Sequence, residues 1–157
     1  MKSEPEAFSI EDLARAPGKT TFWDGVRNYQ ARNLLRDELE PGDGVLFYHS
    51  SADPPAVAGT ASVVRKGSPD PSQFDARSGH HDPDSPRDKP RWYGVEIRWE
   101  STFARPVPLE ELRRTPGLED MVLLQRSRLS VQPVAPPEWA IIVKLGGKAR
   151  PAQAARR

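Results

Sequence analysis

The fold is decided by residues 44–64, which read GVLFYHSSADPPAVAGTASVV. Residues 44–49 are apolar on both faces, a pattern typical of a central strand or a barrel strand. A loop containing two prolines follows, and residues 57–64 then alternate as a second strand. Gly59 lies inside that strand, which predicts close approach of another backbone or of a ligand. The segment therefore predicts two strands, the first of them central.

The composition of the 157-residue chain limits the remaining fold classes. Its 17 prolines and 11 glycines exclude a long helical bundle and favour a turn-rich fold that contains strands. A mass of 17.5 kDa fits one domain. The sequence has no apolar run long enough for a membrane span and no apolar N-terminal segment typical of a secretory signal. Cysteine is absent, which excludes disulfides, thiol catalysis and cysteine-ligated zinc.

The charge balance predicts a local binding site instead of a long electrostatic groove. The chain carries 23 basic and 22 acidic residues, a formal charge of +1, whereas proteins that follow many phosphates are usually far more basic. Residues 146–157 contain four basic residues and no acidic one. We expect residues 1–145 to form the domain and residues 146–157 to be a basic, flexible tail.

Outside the central segment, the sequence predicts short helices and short strands. Ser9 and Asp12 are spaced to cap a helix that ends before Pro17. The further predicted elements are a helix over 28–39, strands over 92–100, 103–107 and 129–134, and helices over 109–114, 118–124 and 138–145. Most connections are too short for a strand–helix–strand crossover. We therefore predict an α+β fold, a small mixed β-barrel flanked by short helices.

Residues 66–90 are the least regular part of the sequence. They contain five prolines and many charged residues, and no periodic pattern. A loop of this length inside a compact domain is uncommon unless it is functional or partly disordered. We expect one of these two outcomes for this loop.

The sequence offers little that would support catalysis or metal binding. His49-Ser50 is the one candidate pair for nucleophilic chemistry, but neighbours on a strand point to opposite faces. His80-His81-Asp82 is the one metal-like cluster, and a solvated polar loop is the simpler interpretation. No phosphate-binding glycine motif is present. We predict a protein that is not an enzyme and that uses no metal and no cofactor.

The remaining unusual feature is a group of rings and amides near turns. Trp23, Asn28, Tyr29, Gln30 and Asn33 lie around one predicted helix start. Planar rings that stack, together with polar groups that read a hydrogen-bonding edge, are what a nucleobase needs. The other interpretation is that the rings belong to the core and the amides cap the helix.

Several spaced motifs resemble the EVE domain family. They are Lys2-Ser3-Glu4-Pro5, the eleven residues from Trp23 to Asn33, Phe47-Tyr48-His49-Ser50, Asp70-Pro71, Gln73-Phe74-Asp75, Asp82-Pro83, Pro90-Arg91-Trp92 and Arg128-Leu129-Ser130-Val131. The resemblance implies a PUA-like fold and binding of a modified nucleobase, notably a modified cytosine in DNA, in an aromatic pocket. It implies the following pocket residues: Lys2, Ser3, Glu4, Trp23, Val26, Asn28, Tyr29, Asn33, Tyr48, His49, Ser50, Leu129 and Ser130.

Roles within that implied pocket are hypotheses of ours. Trp23 and Tyr48 would stack on the two faces of the base, while Ser3, Glu4, Asn33 and Ser50 would read its edge. Phosphate contacts would come from four arginines, namely Arg27, Arg32, Arg36 and Arg128. Three alternatives stay open: an RNA-binding module of the same fold, an enzyme acting on a nucleoside-like small molecule, and a protein-interaction module.

The resemblance also sets expectations about partners and surroundings. We expect a monomer that binds nucleic acid, modified DNA or else RNA, and no membrane. It would be cytoplasmic with access to the nucleoid in a bacterium, or nuclear in a eukaryote. Family members usually have an aromatic-rich strand before the Lys2–Pro5 motif, whereas this sequence starts at that motif. His80 and His81 stand where aromatic residues are common in the family, so this loop is expected to contact its partner differently.

Overall fold

The computed structural model describes residues 1–126 and 128–147, and this part of the chain forms a mixed β-sheet surrounded by short helices. The α+β class is therefore confirmed. The strands are β1 (Lys2–Ser3), β2 (Thr20–Trp23), β3 (Gly44–His49), β4 (Ala56–Val63), β5 (Ser68–Pro69) and β6 (Tyr93–Pro108). In the described residues, no helix combines the length and apolar character that crossing a membrane requires.

The sheet is organised around β6, which is 16 residues long. The strand order is β1-β3-β4-β6-β2, and β5 pairs with the start of β6. The pairing is parallel between β1 and β3 and antiparallel elsewhere. Residues 92–100 and 103–107, predicted as two strands, belong to this one continuous strand. Its length lets one segment pair with three others that are distant in sequence.

Gly59 confirms the close approach that the sequence predicts, and the neighbour is another strand. A Cβ atom at Gly59 would collide with the carbonyl oxygen of Ser101 in β6 and would lie 2.9 Å from Cγ1 of Ile10. The register between β4 and β6 also shifts near this glycine. The absence of a side chain therefore lets β6 and the first helix pack against β4.

The first helix, α1 (Ile10–Arg15), begins where the sequence predicts. Ser9 Oγ accepts a hydrogen bond from the N–H of Asp12 at 3.0 Å, and the Asp12 carboxylate accepts one from the N–H of Ser9 at 2.9 Å. This reciprocal cap satisfies two N–H groups that a helix start otherwise leaves without partners. A short 3₁₀ turn, Pro17–Lys19, then leads into β2.

The predicted helix over 28–39 is only partly α-helical. It consists of α2 (Tyr29–Asn33) and a wider π-helical segment, Leu34–Glu38. The Leu39 N–H donates to the Leu34 carbonyl at 3.1 Å, so the wider turn closes the helix before the chain turns at Pro41. The remaining helices are α3 (Leu109–Arg114), α4 (Val122–Gln125) and α5 (Pro136–Leu145), and a short 3₁₀ turn spans Pro71–Phe74.

Two hydrophobic clusters lie on opposite sides of β3 because successive side chains of a strand alternate. Val45 and Phe47 belong to the first cluster, with Trp23 and Leu35. Leu46 and Tyr48 belong to the second cluster. This separation decides which aromatic residues can share a cavity.

Two sequence-based predictions are corrected at this level. Strand β2 corrects the sequence analysis, which assigned no helix or strand to residues 20–23; these residues pair with residues 95–98 of β6. Residues 129–134 were predicted to form a strand, but they form none; Leu129 and Val131 pack into the first cluster, and the Ser130 carbonyl accepts the Lys2 N–H at 2.9 Å. Of the predicted tail, residues 148–157 lie outside the described part of the chain.

Candidate functional site

A cavity of about 530 Å³ opens where the N-terminal segment, the end of β2 and the long loop meet. Such a volume lies in the range of small-ligand sites. The lining residues come from four separate segments, namely Lys2, Ser3, Glu4, Ala7, Phe8, Thr21, Phe22, Trp23, Asp24, Gly25, Val26, Arg27, His80 and Ser130. Because these segments are distant in sequence, the cavity is a product of the tertiary fold.

Aromatic side chains form part of the cavity wall. Trp23 is only 8% exposed, and its ring packs edge-to-face against Phe47 with centroids 5.4 Å apart. Phe8 and Phe22 are partly exposed and line the same cavity. The sequence analysis missed both phenylalanines, although Phe22 directly precedes Trp23. The wall therefore offers flat apolar surface to a ligand, while most of the Trp23 indole serves the core.

The imidazole of His80 covers the turn at Gly25. A Cβ atom at Gly25 would lie 2.6 Å from His80 Nε2, and the φ angle of Gly25 is +79°, a conformation that favours glycine. His80 is itself exposed and lines the cavity. Within the described residues, no group of three or more histidine, aspartate or glutamate side chains could hold a metal ion. The long loop thus supplies a cavity wall.

Two acidic side chains of the cavity are open to solvent, which makes them available to a ligand. Glu4 is exposed, and its carboxylate accepts one hydrogen bond, from Ser51 Oγ at 3.2 Å. Asp24 is exposed as well. Ser3 Oγ donates to the Phe8 carbonyl at 2.6 Å, which holds the turn that carries Glu4. The cavity therefore presents hydrogen-bond acceptors on a fixed backbone.

The cavity wall formed by the 23–27 turn is held in place by a buried carboxylate, Asp70, whose exposure is 0%. Its Oδ2 accepts from the N–H of Gly25 at 2.8 Å and from Arg27 Nη1 at 3.0 Å. Its Oδ1 accepts from the N–H of Ser72 at 2.8 Å and from Ser72 Oγ at 2.7 Å. Four donors thus converge on one carboxylate, which ties the 23–27 turn to the long loop.

Burial by itself raises the pKa of Asp70, because the charged form loses its hydration. Hydrogen bonds from Ser72, Gly25 and Arg27 outweigh that effect and hold the pKa below its usual value. Asp70 is therefore charged in the folded protein at neutral pH, as its partners require.

Arg27 uses all five of its N–H donors inside the protein. Nε and Nη2 donate to the His80 carbonyl at 3.0 and 2.6 Å, and Nη2 also donates to Ser72 Oγ at 3.1 Å. Nη1 donates to the Val26 carbonyl at 3.0 Å and to Asp70. Because an arginine side chain carries five donors, none is left for a phosphate. The predicted phosphate contact at Arg27 is therefore replaced by a role in positioning His80.

A buried amide, Gln73, organises the rest of the long loop. Its Nε2 donates to the carbonyls of Asp70 and Trp92 at 2.7 and 2.9 Å. Its Oε1 accepts from Ser85 Oγ at 2.6 Å and from the N–H of Trp92 at 3.1 Å. Every hydrogen-bonding group of this amide is satisfied. This one buried side chain therefore joins three parts of the loop region, namely Asp70, Ser85 and Trp92.

The cavity brings together part of the predicted pocket. The predicted residues that line it are Lys2, Ser3, Glu4, Trp23, Val26 and Ser130. Seven others lie outside its lining: Asn28, Tyr29, Asn33, Tyr48, His49, Ser50 and Leu129. The contacts of these seven residues show what each of them does instead.

The predicted sandwich of a base between Trp23 and Tyr48 is wrong in this structure. Tyr48 packs in the second cluster and is 7% exposed, whereas Trp23 belongs to the first cluster. Phe47 takes the place beside Trp23 because it is the neighbour of Tyr48 on the alternating strand.

His49 serves the start of α1. Its Nε2 accepts from the N–H of Ile10 at 3.1 Å, which gives a partner to a helix-start donor. Burial lowers the pKa of His49, and the nearby carboxylates of Glu11 and Asp12 only partly oppose this. The Ser50 N–H donates to the Ser3 carbonyl at 2.9 Å. Ser50 therefore holds the backbone of Ser3, a residue of the cavity lining, without lining the cavity itself.

The remaining predicted pocket residues act on α2 or in the core. Asn28 caps α2 by accepting from the N–H of Ala31 at 3.0 Å, and Asn33 is exposed and accepts from Arg32 Nε at 2.9 Å. Leu129 is 5% exposed in the first cluster. Tyr29 is 53% exposed and stacks on Trp92 outside the cavity. The interpretation of these amides as helix caps thus holds for Asn28.

The other three residues predicted to contact phosphates lie outside the cavity lining, unlike Arg27. Arg32 Nη1 donates to the Arg91 carbonyl at 2.6 Å. Arg36 makes two hydrogen bonds of 2.8 Å to Asp37, which raise the pKa of the guanidinium and lower the pKa of the carboxyl. Arg128 is exposed two residues before Ser130. Arg36 is therefore occupied by its neighbour, while Arg128 remains close to the cavity.

A larger cavity of about 690 Å³ lies elsewhere, between the start of β3 and residues 131–139. Its lining is mainly aliphatic and proline-rich, with Asp43 as the acidic residue and Trp139 as the aromatic one. It contains none of the exposed carboxylates and rings described above. We therefore take the smaller, chemically richer cavity as the candidate site.

The EVE domain family model matches residues 1–145. The chain belongs to the EVE domain family. Among curated relatives of this family, human thymocyte nuclear protein 1 is 42% identical over 94% of this chain and 73% of its own length. The zebrafish (Danio rerio) protein of the same name is 42% identical over 92% of this chain and 70% of its own length.

Solved structures of EVE proteins share the whole fold. A hypothetical protein from Leishmania major has a TM-score of 0.89 and 42% identity, covering 94% of this chain and 92% of its own. The structure of human thymocyte nuclear protein 1 in complex with 5-methylcytosine containing DNA has a TM-score of 0.88 and 41% identity. It covers 93% of this chain and 95% of the human chain.

Proposed function

We propose that this EVE domain is a non-catalytic reader that binds a modified cytosine of DNA in the cavity formed by β1, the 23–27 turn and His80. The observation that carries the proposal is the meeting of an open carboxylate, Glu4, with aromatic walls in one cavity of about 530 Å³. The human relative in complex with 5-methylcytosine containing DNA supports DNA as the ligand class.

The carboxylates of the cavity favour cytosine over thymine. Glu4 accepts hydrogen bonds but cannot donate them when it is charged, and cytosine presents an exocyclic amine that donates. Thymine presents a carbonyl at the equivalent position, which a carboxylate repels. Asp24, exposed in the same cavity, offers a second carboxylate acceptor, while Lys2 and Arg27 line the cavity as well. The cavity is therefore suited to a base that carries an amine.

The aromatic walls supply the contact with the flat faces and the 5-substituent of the base. Phe8, Phe22 and His80 line the cavity beside the edge of Trp23. Stacking on such a ring contributes roughly 1–3 kcal/mol per base, while extrusion of the base from a duplex costs a few kcal/mol. Affinity is therefore expected to depend on the fit in the cavity, with support from a phosphate contact at exposed Arg128.

The test compares short labelled duplexes that differ at one position, where they carry cytosine, 5-methylcytosine or 5-hydroxymethylcytosine. Fluorescence anisotropy at one salt concentration measures their affinities, and we expect the duplexes with modified bases to bind more tightly. Equal affinity for all three would overturn the proposal. A matched RNA that bound more tightly than every DNA would also overturn it, in favour of the RNA-binding alternative.

Glu4→Gln tests the assigned contact directly. The amine that Glu4 would accept from is common to cytosine and its 5-substituted forms, so we expect Glu4→Gln to weaken binding of every cytosine duplex about tenfold and to leave the preference for modified cytosine unchanged. Glu6→Gln is the matched control, because Glu6 is also exposed but does not line the cavity. Trp23→Ala is a poor test because this mostly buried indole packs in the core, and its removal would reduce stability as well.

A further inference from the structure

Outside the cavity, the ring of Tyr29 lies on the surface beside the guanidinium group of Arg32. Its exposure of 53% is the highest of any large hydrophobic side chain in the described part of the chain. In residues 1–126 and 128–147, no hydrogen bond is made to its hydroxyl group. An exposed aromatic ring with a free polar end is a common feature of binding surfaces.

The Tyr29 ring is connected to the cavity by a series of ring contacts. Its centroid lies 4.9 Å from that of Trp92 with an interplanar angle of 26°, a stacked arrangement. The guanidinium carbon of Arg27, a residue of the cavity wall, lies 5.4 Å from the Trp92 ring centroid. The exposed ring therefore lies two contacts away from the cavity.

The supporting ring is held rigidly. Trp92 is 6% exposed, and its Nε1 donates to the Asp82 carboxylate at 2.7 Å. This bond is the main cause of the lowered pKa of Asp82. Because Trp92 is fixed, Tyr29 loses little further freedom when a partner binds, which favours affinity.

The charges around Tyr29 are predominantly positive. The guanidinium carbon of Arg32 lies 5.0 Å from the Tyr29 ring centroid. Arg126 Nη1 donates to Oε1 of Gln30, the next residue along α2, at 3.4 Å. The acidic Asp82 is already occupied by Trp92 and lies 3.7 Å from Arg91. A flat ring with cations beside it is the combination that binds a base and its phosphate.

We propose that Tyr29 stacks on the nucleotide next to the base in the cavity, and that Arg32 and Arg126 contact the phosphates of that nucleotide. This inference rests on the proposed function, because it assigns the neighbouring part of the same DNA strand. It reassigns Tyr29 from the predicted base pocket to a separate contact, and it adds Arg126, which the sequence analysis did not single out.

The test is a double-mutant cycle between Tyr29→Ala and removal of a neighbouring base. Two duplexes carry an abasic site on the 5′ or the 3′ side of the 5-methylcytosine. We expect Tyr29→Ala to weaken binding of the intact duplex about tenfold, as loss of one stacking ring does. On the abasic duplex that lacks the contacted base, the same substitution should cost nothing. An equal loss on all duplexes, or no loss on any, would overturn the inference.

Conservative and control variants separate this contact from a structural effect. Tyr29→Phe keeps the ring and should retain the wild-type affinity. Tyr93→Ala is the matched control, because Tyr93 is a partly buried tyrosine with Arg36 6.0 Å from its ring and lies outside the proposed surface. Equal losses for Tyr29→Ala and Tyr93→Ala would overturn the assignment to Tyr29.

The phosphate part of the inference has its own measurement. Arg126→Gln should lower the slope of log affinity against log salt concentration by about 1, and Arg98→Gln, exposed on β6, should leave it unchanged. Equal slopes for wild type and Arg126→Gln would overturn the phosphate contact. The preference of the wild type for modified over plain cytosine is read from the same titrations, so failure of the proposed function is seen separately from failure of the Tyr29 contact.

Discussion

Two carboxylates, Glu4 in the cavity lining and Asp70 behind the 23–27 turn, show how differently this protein uses the same chemical group. Asp70 is fully buried and accepts four hydrogen bonds from the protein. Glu4 is exposed and accepts one, from Ser51. A carboxylate with all its acceptor sites filled holds the structure together, whereas one with acceptor sites open can bind something else. The two walls of the cavity differ in the same way.

The largest expected effect comes from changing the buried carboxylate to its amide. Asp70→Asn removes the negative charge that Arg27 binds. It also places an NH₂ group, itself a donor, against N–H or hydroxyl donors. We expect the free energy of unfolding to fall by about 3 kcal/mol. Urea denaturation measures this, with exposed Asp84→Asn as the control that should change stability by less than about 0.5 kcal/mol. Equal denaturation midpoints for the two variants would contradict a structural role for Asp70.

The second prediction concerns the amide that orders the long loop. Gln73→Leu keeps much of the side-chain volume but removes four hydrogen bonds. The Trp92 N–H and the Ser85 O–H lose their acceptor, while the carbonyls of Asp70 and Trp92 each keep one backbone donor. We expect a loss of about 2 kcal/mol in the free energy of unfolding, together with faster hydrogen exchange in residues 70–92. Gln125→Leu on the exposed side of α4 is the control. Unchanged exchange in the loop would show that Gln73 does not order it.

The third prediction again replaces a carboxylate by its amide, now at Glu4 in the cavity lining. Glu4→Gln removes the charge of an exposed side chain, so the free energy of unfolding should change by less than about 0.5 kcal/mol. The affinity for the 5-methylcytosine duplex should nevertheless fall about tenfold, as proposed above. Urea denaturation and DNA titration of the same sample measure the stability and the affinity, respectively. A large loss of stability in Glu4→Gln would remove the contrast between the two walls.

The smallest expected effect is on the pH dependence of stability, through His49. Its pKa in the folded protein is lowered by burial, so the unfolded chain binds a proton more readily. The stabilising contribution is therefore present above about pH 6.5, the value for an unperturbed histidine, and is lost as the pH falls through the lower pKa of the folded state. His49→Gln, which cannot titrate, should show a flatter stability profile between pH 7 and 5.

The control for that prediction is His81→Gln, because His81 is exposed on the long loop. This variant should keep the wild-type profile. If His49→Gln and wild type lost stability in parallel on acidification, the neutral imidazole at the start of α1 would not be the group responsible.

Local patterns predicted the elements whose residues depend mainly on their sequence neighbours. The cap at Ser9, the strand Gly44–His49 and the close approach at Gly59 follow from spacing and side-chain size, and the structure contains all three. Residues 129–134 alternate like a strand but form none, and the carbonyl of Ser130 accepts the N–H of Lys2. An alternating pattern indicates that one face of a segment is buried. It does not indicate whether another strand lies beside the segment to pair with it.

The candidate site was harder to predict because its roles depend on tertiary partners. Asp70 and Gln73 belong to motifs that resemble the EVE family, but nothing in the sequence shows that they meet Gly25 and Trp92. For Tyr48, alternation predicts only that it faces away from Phe47. Which of these two faces carries the cavity depends on where β2 joins the sheet, and β2 was not predicted.

The saturated guanidinium of Arg27 has a consequence for how the closed loop can be observed. Its hydrogen bonds join the 23–27 turn, Asp70–Ser72 and His80, so the side chain remains shielded only while all three segments are in contact. Guanidinium protons of exposed arginines exchange rapidly with water, and protected ones persist in a spectrum. The rate at which the Arg27 Nε–H exchanges with water therefore reports how often the long loop separates from the 23–27 turn.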